Sequence, residues 1–191
     1  MLFSKVNLAV KLRLFAIGLI TVASVPVCAL QKLGRMPFLW RVNLGPWTAV
    51  HLNASRGLFK DFSVVEVDFG ASDFSSSTWR GVRVAKSNFD RAQLSGTWFT
   101  DCSLKKVSFY RAKMSGVHFS QSRLEGTSFR EAGLTGAYFD ASNCRRCDFR
   151  GADLRDATFA LTELTGALFD ANTKLPFSSG TAIRRSMIFV H

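Results

Sequence analysis

The stretch FREAGLTGAYFDASNCRRCDFRGADLRDATF at residues 129–159 places a large uncharged residue, usually Phe or Leu, at every fifth position. A smaller residue stands two positions before each of them. The same spacing extends outward in both directions, so that residues 57–171 form one series without slippage. A fixed sequence period indicates a repeat architecture. A period of five fits neither the 3.6-residue turn of a helix nor the two-residue alternation of a strand.

Each five-residue unit predicts a short extended side followed by a corner. The small and the large residue would point inward, and the residues after them would turn the chain. Glycine tolerates the backbone angles that a tight corner needs. It recurs two positions after the large residue, at Gly81, Gly96, Gly116, Gly126, Gly136, Gly151 and Gly166. The chain is therefore expected to coil around a filled axis as a solenoid.

Four segments resemble the pentapeptide-repeat family: ADLRD at 152–156, AQLSG at 92–96, AGLTG at 132–136 and ALTELTGALFDANTKLPF at 160–177. The resemblance covers residues 57–177 and implies an all-β fold, a right-handed quadrilateral β-solenoid with twenty residues per coil. The residues alone show a period of ten, which a two-sided coil would also satisfy. Residues 57–171 would make about five and a half coils, a rod of roughly 26 Å.

With twenty residues per coil, the large inward residues sort into stacked columns. Two columns are aromatic and two are mainly aliphatic, and like columns would face each other across one narrow core. The predicted core columns are Phe69, Phe89, Phe109, Phe129, Phe149 and Phe169; Phe99, Phe119, Phe139 and Phe159; Leu94, Leu134 and Leu154; and Leu104, Leu124 and Leu164.

The net charge of +11 belongs to the two ends of the chain. Residues 57–171 hold fifteen basic and all fourteen acidic residues, a net charge of +1. Residues 1–56 add seven basic residues and residues 172–191 add three. The solenoid itself is therefore nearly neutral. Because the end coils of a solenoid expose core to water, residues 30–56 are predicted as an N-terminal capping segment and residues 172–191 as a C-terminal cap.

The first 29 residues resemble an export signal. Lys5, Lys11 and Arg13 precede the uncharged residues 14–27, which are too few for a comfortable membrane span of about 20 residues. Residues 1–29 are therefore predicted as a signal peptide, and the protein as periplasmic or extracellular. The alternative is an uncleaved membrane anchor formed by residues 8–30.

The sequence lacks the motifs of a catalytic or phosphate-binding site, so no enzymatic activity, cofactor or metal is expected. Cys144 and Cys147 have the spacing of redox and metal sites. Both fall on inward positions, where cysteine packs as a small hydrophobe. A disulfide formed after export is the alternative, with a metal site behind it. Asp148 and Asp153 are interpreted as outward residues whose charge is simply tolerated.

Two sets of outward residues are candidate interaction sites. Trp98, His118 and Tyr138 would stack at coil spacing, either as a stabilising cross-strand ladder or as a contact stripe for a partner or a sugar. The second set is basic and would meet an anionic polymer, an anionic lipid or an acidic protein, unless it is only a solvated face. It consists of Arg83, Lys86, Lys105, Lys106, Arg123, Arg145 and Arg146.

The sequence favours a non-enzymatic, exported binding or structural module that presents a rigid surface to a protein or an envelope polymer. A secreted effector acting on a host or prey cell is the first alternative. A DNA mimic that interacts with gyrase, known from one branch of the resembled family, is the second, and the neutral solenoid with its basic face disfavours it. Direct nucleic-acid binding is not expected. A flat side of small residues leaves a homodimer open, and membrane contact is expected only through an uncleaved N-terminus.

Overall fold

A computed structural model of the chain describes residues 50–191, together with the backbone of three short strands that precede them. The predicted signal peptide or anchor therefore lies outside the described residues. Within the part of the chain that is described, no helix has the length and apolar character needed to cross a bilayer.

The described elements are short parallel strands and one helix. In chain order they are β1 Leu39–Trp40, β2 Asn43–Leu44, β3 Trp47–Thr48, β4 Leu58–Lys60, β5 Ser63–Val65, β6 Val67–Asp68, β7 Thr78–Arg80, β8 Arg83–Ala85, β9 Trp98–Thr100, β10 His118–Ser120, β11 Leu168–Phe169, α1 Ser179–Arg184 and β12 Ile188–Phe189.

All strand pairs are parallel and join residues twenty positions apart in the chain. Trp79, for example, faces Phe99 in β9. The sheets run β1-β4-β7-β9-β10, β2-β5-β8, β3-β6 and β11-β12. Single bridges at the same offset, such as Ser103 with Arg123, continue the columns between the strands. The fold is thus the expected four-sided β-solenoid with twenty residues per coil, which excludes the two-sided coil.

We number the sides in chain order. Side 1 carries β1, β4, β7, β9 and β10, side 2 carries β2, β5 and β8, and side 3 carries β3, β6, β11 and β12. Side 4 is held by single bridges such as Asp73 with Gln93. All four sides enclose the same core.

The solenoid has about seven coils, more than the five and a half that were expected. The expectation failed at the N-terminal end, where β1 pairs with β4, β2 with β5 and β3 with β6. Residues 39–48 thus contain strands in the coil register, although the segment 30–56 was expected to be an irregular cap. Parallel pairing is made by backbone N–H and C=O groups, so a coil can continue where the Phe and Leu period has stopped.

The core consists of stacked aromatic and aliphatic columns. All sixteen residues of the predicted core columns are buried. Phe109 stacks on Phe89 and Phe129 with ring centroids 5.2 and 5.4 Å apart. Phe129 meets Phe139 of the other aromatic column edge-on, at 5.7 Å and 88°. Offset stacking along a column and edge-to-face contact between columns are both favourable ring geometries, so the two aromatic columns fill the core together.

Most Ser and Thr side chains at the small inward position are buried as completely as Ala. Thr97 Oγ1 donates to the Phe74 carbonyl at 2.8 Å, and Thr127 Oγ1 donates to the Leu104 carbonyl at 2.6 Å. Among the described residues, every buried side-chain nitrogen and oxygen has a hydrogen-bond partner. Burial of these hydroxyls therefore carries little of the usual desolvation cost.

The corners between His51 and Gly166 all use a left-handed backbone conformation. From His51 to Gly166, each fifth residue has a φ between 51° and 72°. The seven predicted corner glycines all belong to this series, but most corners hold other residues. A non-glycine residue pays about 1–2 kcal/mol for this conformation. The stacked ladders on both sides of each corner impose it nevertheless.

The segment after Phe169 closes the C-terminal end of the core. One extra residue shifts the register, so that Asp153 bridges Lys174. Helix α1 then forms, with the Ser178 side chain accepting the Thr181 N–H. Ala182 and Met187 are buried against the last coil. Strand β12 returns to the regular offset beside β11.

Replacement of Phe119 by Asp should prevent folding. Phe119 is fully buried, with Phe99 and Phe139 each stacked 5.2 Å away, so the new carboxylate would have no partner. Loss of the ring alone costs about 4 kcal/mol. The matched control Ser115→Asp changes an exposed position and should unfold near the wild-type temperature. Equal thermal midpoints for the two variants, measured by circular dichroism, would contradict the column assignment.

Opposite substitutions at two corners should change stability in opposite directions. Gly116→Ala should lower the free energy of unfolding by about 1 kcal/mol. A Cβ there meets no atom within 4 Å, so the effect comes from the backbone. Ala141, with φ 54°, is the reverse case, and Ala141→Gly should leave stability equal or higher. Urea denaturation measures both, and a comparable loss in the two variants would rule out the left-handed backbone as the cause.

Candidate functional site

Two of the cysteines form a buried disulfide. Cys144 and Cys147 are joined by a disulfide, and neither is accessible to solvent. The expectation that they pack as free thiols was therefore wrong, because the large position and the next small position meet across one corner, with Cα atoms 5.3 Å apart. Cys102 is free and buried, and its burial raises its pKa to about 12. Its thiol stays protonated at neutral pH and is a poor nucleophile.

Residues 50–191 contain no group of three or more His, Cys, Asp or Glu side chains placed to hold a metal ion. The acidic residues are instead spread over the corners and the outward positions. The remaining candidate sites lie on the outer surface of the coils.

The aromatic ladder, which consists of Trp98, His118 and Tyr138, lies on side 1. Trp98 and His118 are stacked with ring centroids 3.7 Å apart and planes 6° apart. His118 and Tyr138 are stacked at 4.3 Å and 5°. The rings therefore cover each other's faces, and a ligand would find mostly ring edges. Burial lowers the pKa of His118, although Asp140 acts in the opposite sense. The ladder stabilises the sheet and offers little of the ring face on which a sugar would stack.

The basic face lies on side 2 and on the corner that follows it. We use this name for Arg83, Lys86, Lys105, Lys106, Arg123, Arg145 and Arg146, all of which are exposed. Two of the seven are neutralised by carboxylates one coil away. Lys86 Nζ lies 3.0 Å from Glu66 Oε1, and Lys105 Nζ lies 3.0 Å from Glu125 Oε2.

The other five cations of the basic face take part in none of the ion pairs found within residues 50–191. Glu125 and Glu163 stand among them. A hydrogen bond from Lys105 is the main cause that lowers the pKa of Glu125, with smaller effects from Arg145 and Arg146. A hydrogen bond from Thr165 lowers the pKa of Glu163. Both carboxylates are therefore ionised at neutral pH, and side 2 still keeps an excess of positive charge.

The structure adds one arginine, Arg184, to this side, although the sequence had assigned it to the cap. The Gly166 N–H donates to the Ser186 carbonyl at 2.7 Å, which sets residues 184–186 over residues 164–166. Arg184 thereby extends the positive charge to the C-terminal end of side 2, whereas the guanidinium of Arg185 turns away and donates to the Phe159 carbonyl at 2.7 Å. With Leu161 and Glu163, both arginines line a shallow, open depression. The missed signal was the spacing, since Ser186 stands twenty residues after the corner residue Gly166 and so brings Arg184 beside residues 164–166.

Asp148 and Asp153 make specific hydrogen bonds and ion pairs, which corrects the interpretation that their charge is simply tolerated. Each accepts the N–H of the residue two positions later, Asp148 from Arg150 at 3.2 Å and Asp153 from Arg155 at 3.4 Å. Each also pairs with that arginine, at 2.6 and 2.7 Å. Asp73 accepts the Ser75 N–H in the same way. These side chains satisfy backbone donors at the start of a corner, as in an Asx turn.

Four of the seven cations on sides 3 and 4 and their corners are paired, whereas Arg91, Lys113 and Arg130 take part in none of the ion pairs within residues 50–191. The hydrogen bond from Arg155 is the main cause that lowers the pKa of Asp153 to about 2, and Lys174 contributes as well. Arg111 pairs with Glu131 at 2.7 Å on the corner between the two sides. Between residues 57 and 176, these two sides and their corners carry eight acidic residues, whereas side 2 and its corner carry three. With seven basic residues on each of the two surfaces, the excess of positive charge makes side 2 the best candidate for a binding surface.

The sequence matches two family descriptions, "Pentapeptide repeat region" over residues 97–169 and "Pentapeptide repeats (8 copies)" over residues 68–105. Similar solved structures include HetL, QnrB1 and a protein of the Arabidopsis thaliana thylakoid lumen. HetL of the cyanobacterium Nostoc, a pentapeptide repeat protein involved in heterocyst differentiation regulation, is 21% identical over 73% of this chain, with a TM-score of 0.38. The match spans 62% of HetL, less than two thirds of its length.

The plasmid-mediated fluoroquinolone resistance protein QnrB1 is 17% identical over 80% of this chain and 91% of its own, with a TM-score of 0.45. A pentapeptide repeat protein of the Arabidopsis thaliana thylakoid lumen is 26% identical over 51% of this chain and 69% of its own, with a TM-score of 0.39. No protein of curated function matches the sequence.

The ion pairs of Asp153 should give a pH-dependent contribution to stability. Because the pKa of Asp153 is lowered to about 2 in the folded state, the contribution is complete above its unfolded pKa of about 3.9 and is lost as the pH falls through 2. Asp153→Asn keeps an oxygen for the Arg155 N–H but removes the charge. The variant should be less stable than wild type at pH 6, and the difference should shrink between pH 4 and pH 2.

Urea midpoints at pH 6, 4 and 2.5 test this expectation. Asp73→Asn is the control, because Asp73 accepts from Ser75 and takes part in none of the ion pairs within residues 50–191. A difference for Asp153→Asn that stays constant over this pH range would show that its charge does not contribute.

Proposed function

We propose a binding role for this chain, which belongs to the pentapeptide-repeat family: it is a non-enzymatic module that presents side 2 of a rigid solenoid to an anionic component of the cell envelope. The observation that carries the proposal is the unequal distribution of charge. Between residues 57 and 176, side 2 and its corner carry seven basic and three acidic residues, whereas sides 3 and 4 with their corners carry seven basic and eight acidic residues. Unmatched charge of one sign attracts a partner of the other sign.

The rigidity of the coils supports a binding role. The backbone of Arg123, for example, is hydrogen-bonded twice to the preceding coil, to Cys102 and to Leu104. Little backbone freedom is therefore lost when a partner binds, and that loss is one of the main costs of association.

Two observations favour an extracytoplasmic location. The sequence of residues 1–29 is typical of an export signal. The disulfide between Cys144 and Cys147 suits an oxidising compartment, such as the periplasm or the cell exterior, where such bonds persist. A chain in that location would meet anionic lipids, anionic polymers and the acidic surfaces of other envelope proteins.

The two alternatives fit the charge less well or use the same surface. A gyrase-directed DNA mimic needs a strongly acidic exterior, but residues 57–171 hold fifteen basic against fourteen acidic residues. A secreted effector would bind its target through the same basic face, and only the identity of the target would distinguish it from an envelope protein.

Binding to isolated cell envelopes tests the proposal. Purified protein should sediment with envelopes at low salt and be released as salt screens the charges. The triple variant Arg123→Ser, Arg145→Ser and Arg146→Ser should bind at least tenfold more weakly, since each cation near an anionic surface contributes about 1 kcal/mol. Serine already occupies the equivalent positions at Ser103, Ser75 and Ser76 of other sides or coils, so the coils should be preserved.

The control removes the same number of charges from the side 3 and side 4 surfaces. Arg91→Ser, Lys113→Ser and Arg130→Ser change three exposed cations there and should bind within twofold of wild type. An equal loss in both triple variants would mean that net charge, not the basic face, drives binding. Wild-type protein that stays in the supernatant at every salt concentration would overturn the proposal.

A further inference from the structure

We propose that the C-terminal end of side 2 docks on an anionic phospholipid bilayer, with Leu161 and Ile183 entering the interface and Arg145, Arg146 and Arg184 meeting the headgroups. This inference rests on the proposed function and names its ligand. It follows from the coincidence, at one place on the rod, of unpaired cations and protruding apolar side chains.

Leu161 is the most exposed large apolar residue in the described chain, at 91%. It occupies a corner with φ 54°, a conformation that is costly for any residue with a Cβ. The corresponding corners of earlier coils hold Asp101, Gln121 and Ala141. The leucine thus gains no packing, while both its left-handed backbone and its exposure to water are energetically unfavourable. A side chain in this position is explained if it is buried when the protein binds.

Arg184 lies near this corner, and Arg145 and Arg146 lie at the other edge of side 2. Ile183, the residue before Arg184 in helix α1, is 59% exposed. Arg184 lines the same depression as Leu161. Arg145 and Arg146 belong to the coil below, where the Arg146 N–H donates to the Thr165 carbonyl. Leu161 therefore projects beside a surface whose charge is mainly positive, although Glu163 also lies there, and Ile183 is exposed in the adjoining helix α1.

A bilayer surface matches this combination better than the other anionic partners do. Anionic headgroups attract Lys and Arg, and the acyl layer a few ångströms below them receives apolar side chains. A hydrophilic polymer would satisfy the arginines but leave Leu161 and Ile183 in water. The depression beside Leu161 is shallow and open, unlike the packed pockets that hold the anchor residues of protein partners.

Vesicle sedimentation tests the inference. The wild-type protein should bind vesicles of phosphatidylcholine and phosphatidylglycerol at a ratio of 7:3 and should not bind pure phosphatidylcholine. The variant Leu161→Gln, Ile183→Gln should bind the anionic vesicles at least tenfold more weakly. Glutamine already occupies the same corner at Gln121, and it favours helix at position 183, so the fold should be kept.

Ile188→Gln is the matched control, because Ile188 is 51% exposed at the same end of the rod but on side 3. It should bind like the wild type. Equal losses for Ile188→Gln and the double variant would overturn docking through side 2. Binding that depends on the three arginines but not on Leu161 and Ile183 would overturn entry into the interface.

The experiment separates this inference from the proposed function. Protein that sediments with isolated envelopes but ignores anionic vesicles would overturn the lipid as ligand and leave an acidic protein or polymer as the partner of the basic face. Protein that binds neither would overturn both proposals.

Discussion

The parallel hydrogen bonding between coils, at a constant offset of twenty residues, is the constraint on which the rest of the structure depends. It brings identical positions of successive coils into contact, so that Phe109 stacks on Phe89 and His118 on Trp98. It also holds the corners between residues 51 and 166 in the left-handed region, whether glycine is present or not. Core, surface ladders and corner strain are therefore consequences of one repeated register.

The part of the fold that could be predicted is the part in which side chains repeat. The five-residue period identified the core columns and the corners, because burial and turning demand particular residue types at those places. The strands between residues 39 and 48 were missed, because their pairing with β4, β5 and β6 is made by the backbone. The function of Asp148 as an acceptor for the Arg150 N–H was missed for a related reason, since a period does not reveal which backbone donors lack a ladder partner.

Only the outline of the candidate site could be predicted from the sequence. The register assigned the seven cations to one side, but their pairing depends on side-chain reach. Lys86 and Lys105 find carboxylates one coil away, and Arg123 does not. Arg184 escaped the pattern because the extra residue before Lys174 interrupts the count, and helix α1 then restores it. Irregular segments of this kind place residues on a side that the period cannot assign to them.

Because of the twenty-residue offset, the number of residues between two positions also determines whether they lie on the same side of the rod. Inserting or deleting a whole coil would change the distance between two surface features without rotating one against the other. Inserting a single five-residue unit would turn everything that follows by a quarter of a revolution. The side that carries Arg83 would then no longer be the side that carries Arg145, although no residue of either coil had changed. The alignment of the basic face along one side is thus encoded in the spacing of the chain as firmly as in its residues.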